Sequence, residues 1–283
     1  KDLIDIIGKD RKFYQREIND EFWSEKDCML ISYGDSITTN QERPLQTLNK
    51  FIQKKFPETF SIIHILPFFP YSSDEGFSVK NYYEVNSNIG EWGDLSQIAS
   101  NFKVMSDLVI NHMSAESKWF KNFLKGTGKG FDYFLEVKTD ENLRKVFRPR
   151  ATDIKKEVTV DGKKKNVWCT FSHDQVDFDF KNPEVLKEFI KIIRFYLDNG
   201  IRLFRLDAIA FAWKEKNTNC INRPQTHEIV RLIRTLLDFT YDDTILLTET
   251  NILKRENLSY FGNSNEAHWI YNFSLPPILI YSI

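Results

Sequence analysis

Short apolar runs alternate with longer amphipathic segments along most of this chain. The apolar runs occupy residues 28–33, 61–66, 104–110, 203–206, 245–248 and 268–273, and each has the length of a buried strand. Apolar residues recur at helical spacing in residues 44–56, 95–102, 182–197 and 226–239. Strands that alternate with helices favour a parallel sheet covered by helices, so the pattern predicts a fold of the α/β class.

The alternation breaks after the third predicted strand. Residues 113–175 hold aromatic and charged segments, with a hairpin-like turn at Asp161-Gly162 between two short β-type runs. We interpret this stretch as a subdomain inserted into a larger domain. The predicted organisation is an N-terminal extension and the first part of the main domain at 1–112, the insertion at 113–175, and the rest of the main domain at 176–283. Residues 1–27 show helical spacing and predict a packed extension.

Two of the predicted strands end on a carboxylate. The run from Gly200 to Ala208 reaches Asp207 at its end, and the run from Leu246 to Thr248 is followed by Glu249. In a (β/α)8 TIM-type barrel, the C-terminal strand ends form the active-site face, where an acidic residue is typical of catalysis. Two such carboxylates suit the cleavage of a glycosidic bond, in which one attacks the sugar and the other protonates the leaving oxygen. Arg205 lies two residues before Asp207, which on a strand puts both side chains on one face. We expect its guanidinium to hold Asp207 ionised.

Composition narrows the function classes. The 283 residues are 41% hydrophobic and 28% charged, with a net charge of −1, which favours neither nucleic acid nor an anionic membrane as partner. No apolar run reaches the length of a membrane span. The three cysteines, Cys28, Cys169 and Cys220, are far apart and lack C-x-x-C spacing. That usage is typical of a reducing compartment, so we expect a cytoplasmic protein without disulfides or a zinc site.

Further motifs follow in an order that resembles one family. The third strand ends in D-x-V-x-N-H, residues 107–112, and the fourth carries G-x-R-x-x-R-x-D-A, residues 200–208. With the strand-end Glu249 and an insertion after strand three, the chain resembles the α-amylase superfamily of glycoside hydrolases and transglycosidases. Residues 64–77, 111–114, 205–210, 213–215 and 224–227 look like the sucrose phosphorylase branch, including its glucosylglycerate phosphorylase relatives.

The resemblance implies a site and a reaction. It assigns Asp207 as nucleophile and Glu249 as general acid/base, and it implies substrate-binding roles for Asp74, Phe77, His112, Gln175 and Arg205. The implied reaction is the retaining transfer of glucose from an α-glucoside, such as sucrose, a sucrose phosphate or glucosylglycerate, to inorganic phosphate. No cofactor or metal is implied, although Asn111 corresponds to a calcium-ligand position in many amylases. We expect Asp107 to be structural rather than catalytic.

One carboxylate that the family resemblance implies is not found at its expected place in this sequence. The third family carboxylate belongs to a His-Asp pair after strand seven, whereas His173-Asp174 precedes Asp207 and belongs to the insertion. Only about six strands are predicted, so the barrel is expected to be truncated before its last strands. Such a sheet has open edges, and we expect self-association through them rather than a closed, active monomer. Two alternatives remain: an α-glucosidase or amylase-type hydrolase, and an inactive sugar-binding or interaction protein.

Overall fold

A computed structural model describes residues 2–8, 23–138, 141–241 and 243–283. The strands of this part of the chain are β1 (Met29–Ser32), β2 (Ile62–Ile65), β3 (Lys103–Val109), β4 (His112–Ser114), β5 (Glu136–Val137), β6 (Lys155–Val160), β7 (Lys163–Trp168), β8 (Gln175–Asp177), β9 (Ile201–Asp207), β10 (Ile245–Thr248) and β11 (Trp269–Ile270). The helices are α1 (Asp2–Gly8), α2 (Pro44–Lys55), α3 (Trp92–Ala99), α4 (Lys118–Lys125), α5 (Pro183–Asp198), α6 (Pro224–Thr240), α7 (Lys254–Leu258) and α8 (Leu275–Ser282).

Six strands form one parallel sheet, in the order β1-β2-β3-β9-β10-β11. All the neighbours are parallel, and consecutive barrel strands lie side by side, as in an incomplete (β/α)8 barrel. All four residues of β2 and of β10 are buried, because helices cover the sheet on one side and barrel side chains fill the other. The predicted α/β class and the incomplete barrel are therefore confirmed.

Helix α5 shows how the sequence directs the chain into β9, the strand that ends on Asp207. The Asn182 side chain caps its first turn by accepting a hydrogen bond from the Glu184 backbone, and Pro183 occupies the first helical position. Phe189, Ile193 and similar apolar residues are buried against the sheet. The helix ends where Gly200 takes φ +92°, a left-handed conformation that turns the chain directly into β9.

Some predicted boundaries differ from the structure for local reasons. Helix α3 begins at Trp92 rather than residue 95, because Glu91 and Asp94 form a reciprocal capping box at its start. The sixth strand is two residues long, shorter than the predicted 268–273. In the N-terminal extension, α1 confirms helix for Asp2–Gly8, whereas the predicted continuation through residues 13–22 lies outside the described residues.

The segment after β3 has its own small sheet. Strands β5, β7 and β6 are antiparallel, and β6 and β7 form the predicted hairpin around Asp161-Gly162. Its chain leaves and rejoins the barrel through β4 and β8, which pair antiparallel with His112 opposite Asp177 and Ser114 opposite Gln175. The exact boundaries 113–175 stay a prediction, but the β4–β8 pair gives the segment a rigid base.

The two outer strands of the main sheet in the described chain are β1 and β11. Helix α8, which follows β11, has no buried residue, and its apolar side chains Ile278, Leu279 and Ile280 are exposed. Self-association through this flank stays a prediction. Among the described residues, no helix is long and apolar enough to cross a membrane.

Candidate active site

The C-terminal ends of the barrel strands surround a cleft of about 540 Å³. All seven residues that the sequence assigns to the site line it: Asp74, Phe77, His112, Gln175, Arg205, Asp207 and Glu249. They come from the loop after β2, from the β4–β8 pair, and from the ends of β9 and β10. This convergence follows from parallel strands, whose carboxyl ends lie at the same edge of the sheet.

Arg205 is the centre of the charged part of the cleft. Its Nη1 donates to Asp207 Oδ1 at 2.7 Å and also contacts Asp107, while its Nη2 lies 4.0 Å from Glu249 Oε2. One guanidinium therefore lies within reach of three carboxylates on three neighbouring strands. Asp107 is fully buried, accepts a hydrogen bond from His64 Nε2 at 2.9 Å and does not line the cleft. Its structural role stays a prediction.

The backbone after Asp207 is strained. Ala208 adopts φ +49°, a left-handed conformation that costs a non-glycine residue on the order of 1 kcal/mol or more. That turn directs the Ala208 amide at Glu249, whose Oε2 accepts its hydrogen bond at 3.0 Å. The two strand-end carboxylates are thus linked both through Arg205 and through the main chain.

Burial raises the pKa of Asp207 to about 7. The guanidinium of Arg205 opposes this shift, and the negative charges of Glu249 and Asp107 add to it. The predicted contact of Arg205 with Asp207 is present, and the guanidinium favours the ionised carboxyl, but burial has the larger effect on the pKa. Burial opposes the charge of Arg205 too, yet Asp207 and Asp107 raise its pKa well above the usual range, so it stays cationic.

A second group of residues, from the loop after β2 and the β4–β8 pair, forms another wall of the cleft. Gln175 Nε2 donates to Asp74 Oδ2 at 2.9 Å, and His112 Nε2 lies 3.0 Å from the Phe77 carbonyl oxygen. Burial lowers the pKa of His112. The Asn111 side-chain amide donates to His112 Nδ1 at 3.2 Å, so the neutral ring carries its proton on Nε2 and donates it to Phe77. These contacts hold Asp74 and Phe77 beside the strand-end carboxylates.

Lys214 is a buried residue whose role the sequence did not predict. Its Nζ donates to Asn111 Oδ1 at 2.7 Å and lies 2.5 Å from Asp177 Oδ2. The ammonium therefore stands between the oxygens that would have to bind a calcium ion beside Asn111. A cation ligand set cannot include an ammonium, so these residues do not fit a calcium site. Elsewhere in the described part of the chain, no cluster of three or more His, Cys, Asp or Glu side chains is arranged to hold a metal.

The rim of the cleft is aromatic and carries one exposed cation. Phe147 and Phe171 from the inserted segment pack against Phe211, with ring centroids 6.2 and 5.4 Å apart. Arg150, also from the insertion, lines the same opening. Motif order did not single out these residues. The density of aromatics in the insertion could have indicated Phe147 and Phe171, but it gives no signal for Phe211 or Arg150.

Comparisons with known proteins give a consistent result. The family model for the alpha amylase catalytic domain matches residues 59–281. A glucosylglycerate phosphorylase of Spirochaeta thermophila is 46% identical over 254 residues, which cover 90% of this chain and 43% of the relative. A sucrose phosphorylase of Streptococcus mutans is 32% identical over 271 residues, covering 90% of this chain and 54% of the relative.

A solved structure agrees with these relatives. The crystal structure of sucrose 6F-phosphate phosphorylase from Thermoanaerobacter thermosaccharolyticum superposes with a TM-score of 0.81 and 28% identity, over 92% of this chain and 55% of that one. The chain therefore spans about half the length of the curated relatives that it matches.

The Lys214 contacts generate a stability prediction. Lys214→Met keeps the length of the side chain but leaves Asp177, which is fully buried, without its ammonium. Breaking a buried ion pair typically costs about 3–5 kcal/mol, and we expect a loss of that size in the free energy of unfolding, measured by urea denaturation. Lys216→Met, an exposed lysine two residues further on, is the matched control and should change it by less than about 0.5 kcal/mol. Equal stabilities for the two variants would show that the ammonium is dispensable.

Proposed function

This chain belongs to the alpha-amylase family, and from that premise we propose that it carries the glucosyl-transferring site of a retaining α-glucoside phosphorylase. The single observation that supports this most is the placement of Asp207 and Glu249 on adjacent strand ends, both within 4.0 Å of the same guanidinium. Retention requires two carboxyl groups roughly 5–5.5 Å apart, and carboxylates that share one arginine suit that close spacing.

In the first step, we propose that the Asp207 carboxylate attacks the anomeric carbon of an α-glucoside. The glycosidic bond breaks as Glu249, protonated, donates its proton to the leaving oxygen, and the acceptor departs as an alcohol. The product is a β-glucosyl ester of Asp207. Asp74, Phe77, His112 and Gln175 line the same cleft and bind the glucosyl ring, with Arg205 orienting the nucleophile.

In the second step, an oxygen of inorganic phosphate attacks the same carbon. The ester bond to Asp207 breaks, Glu249 takes up the proton that the phosphate releases, and α-glucose 1-phosphate leaves. Two inversions at one carbon give net retention. Glu249 ends the cycle protonated and Asp207 ionised, so no cofactor is needed to balance the reaction.

The proposal of phosphate rather than water rests on two supports. The relatives described above are named as phosphorylases of glucosylglycerate, sucrose or a sucrose phosphate, and identity is higher to the glucosylglycerate enzyme. Arg150 lines the cleft opening, and among the described residues no carboxylate forms an ion pair with it. A guanidinium in that position can attract and hold a phosphate. We propose glucosylglycerate as the preferred donor.

The test is phosphate-dependent release of α-glucose 1-phosphate from glucosylglycerate, sucrose and sucrose phosphate by the full-length protein. We expect phosphate to increase glucosyl turnover and to divert the product from free glucose. Asp207→Asn keeps the shape of the side chain but cannot form the glycosyl ester, so turnover should fall on the order of a thousandfold or more. Free glucose as the product regardless of phosphate would favour a hydrolase, and no turnover of any donor would favour a binding protein.

Arg150 provides a sharper test of the phosphate step. Arg150→Gln removes the charge while keeping a polar side chain. Losing a hydrogen bond to a charged group costs about 1.5–3 kcal/mol, so the KM for phosphate should rise roughly tenfold to a hundredfold. Hydrolysis in the absence of phosphate should stay unchanged. Arg144→Gln, an exposed arginine on the same segment, is the control; an equal effect in both variants would mean that only general surface charge matters.

The raised pKa of Asp207 predicts the pH dependence of the first step. A protonated carboxyl cannot attack the sugar, so activity is lost as the pH falls through about 7. An activated 2-deoxy-2-fluoroglucosyl fluoride, whose leaving group needs no proton, isolates this ionisation. We expect the rate of covalent labelling, followed by mass spectrometry, to fall about tenfold per pH unit below the pKa and to level off above it. A rate that is flat across this range would contradict the assignment.

A further inference from the structure

Asp174 lies at the centre of a ring of serine hydroxyl groups. Its Oδ2 accepts hydrogen bonds from Ser72 Oγ at 2.5 Å, from Ser78 Oγ at 2.7 Å, and from Ser73 Oγ. Ser114 Oγ lies 3.5 Å from its other oxygen and 2.6 Å from Ser72 Oγ. We call this the Asp174 cluster. Three of its four serines flank the loop that carries Asp74 and Phe77.

That loop has a conformation that needs to be held. Asp74, Glu75 and Gly76 are consecutive left-handed residues, with φ of +55°, +51° and +107°. Left-handed backbone is unfavourable for the two non-glycine residues, because their Cβ atoms approach the following carbonyl oxygen. A Cβ on Gly76 would lie 2.8 Å from the Pro67 carbonyl oxygen, so the loop is folded tightly back on its own base. A strained backbone of this kind is stable only where the surrounding contacts hold it in place.

The Asp174 cluster provides those contacts at both ends of the strained turn. Ser73 immediately precedes Asp74, and Ser78 immediately follows Phe77. On its other side, the Asp174 carbonyl accepts a hydrogen bond from the Ala115 amide at 2.7 Å, at the end of the paired strands β4 and β8. A single carboxylate thus connects the strained loop to the rigid base of the inserted segment.

The next residue extends the link to the cleft. Gln175 follows Asp174, lies opposite Ser114 in the β4–β8 pair, and donates to Asp74 Oδ2. The loop is therefore held from outside by Asp174 and from inside by Gln175. The carboxylate matters chemically, because it is a strong acceptor with no proton of its own, and one of its oxygens receives three hydroxyl donors.

We propose that Asp174 is a positioning residue for glucosyl transfer: it holds the loop 72–78 so that Asp74 and Phe77 meet the glucosyl ring. Asp174 does not line the cleft, so it acts through Asp74 and its loop. This inference rests on the proposed function, because it concerns the same sugar-binding site. Asp174, the second residue of the His173-Asp174 pair, would thus support the site without touching the reacting atoms.

The test is a double-mutant cycle in the full-length protein, read by labelling with 2-deoxy-2-fluoroglucosyl fluoride. Asp174→Ala should raise the inhibition constant KI for the label on the order of tenfold or more, since a loop displaced by about 1 Å loses its contacts with the sugar. In the Asp74→Ala background the same change should have less than about a threefold effect, because the residue through which Asp174 acts is gone. Asp174→Asn retains one acceptor oxygen and should give an intermediate KI.

Asp132→Ala is the matched control, an exposed carboxylate in the same inserted segment. It should leave KI unchanged. Additive effects in the cycle, or a lower melting temperature with an unchanged KI, would reduce Asp174 to a structural role and overturn the inference. If Asp174→Ala does not fold, Asp174→Asn alone must still raise KI. Failure of the wild type to be labelled would overturn the proposed function itself, whereas normal wild-type labelling with unchanged variants would overturn only the role of Asp174.

Discussion

The site depends on one guanidinium that lies among three carboxylates. The three carboxylates lie at or near the ends of adjacent strands; they are Asp107, Asp207 and Glu249. Because the site is buried, these negative charges repel one another strongly. Arg205 contacts all three and is itself largely buried. The parallel register brings these groups together. Arg205 on β9 is directly opposite Asp107 on β3 and Leu247 on β10, two residues before Glu249. This cation therefore offsets part of the repulsion between the carboxylates that meet in the cleft.

The inserted segment is attached to the barrel by polar contacts rather than by an apolar interface alone. Lys214 joins Asn111 to Asp177, which lie just outside the two ends of the segment, and the Asp174 cluster joins the loop after β2 to the start of β8. Polar contacts require specific geometry, so they define the position of the segment more narrowly than apolar packing does. His112 and Gln175, which line the cleft, lie on this same base in β4 and β8.

The fold and the acidic pair could be predicted from the sequence, because both follow from local patterns. Apolar runs of strand length locate the sheet, and a carboxylate after such a run must lie at the active-site edge, which is why Asp207 and Glu249 were found. Lys214 and Asp174 could not be predicted in the same way. Asn111 is 103 residues from Lys214, and Ser72 is 102 residues from Asp174. Nothing in the spacing of a lone lysine or of scattered serines indicates that these side chains meet. The raised pKa of Asp207 could not be predicted either, because it depends on how deeply the carboxyl is buried.

The Asp174 cluster also affects the order in which the molecule is built. Ser72 and Asp174 are 102 residues apart. The ribosome must therefore add β3, β4 and the inserted hairpin after it has added Ser72 and before it adds Asp174. At roughly 5 to 20 residues per second, that delay is roughly 5 to 20 seconds. During this interval β1 and β2 are already available to pair, while the strained turn still lacks its contacts with Asp174 and Gln175. The loop 72–78 can therefore reach its final shape only after β1 and β2, the strands that precede it, are available to pair.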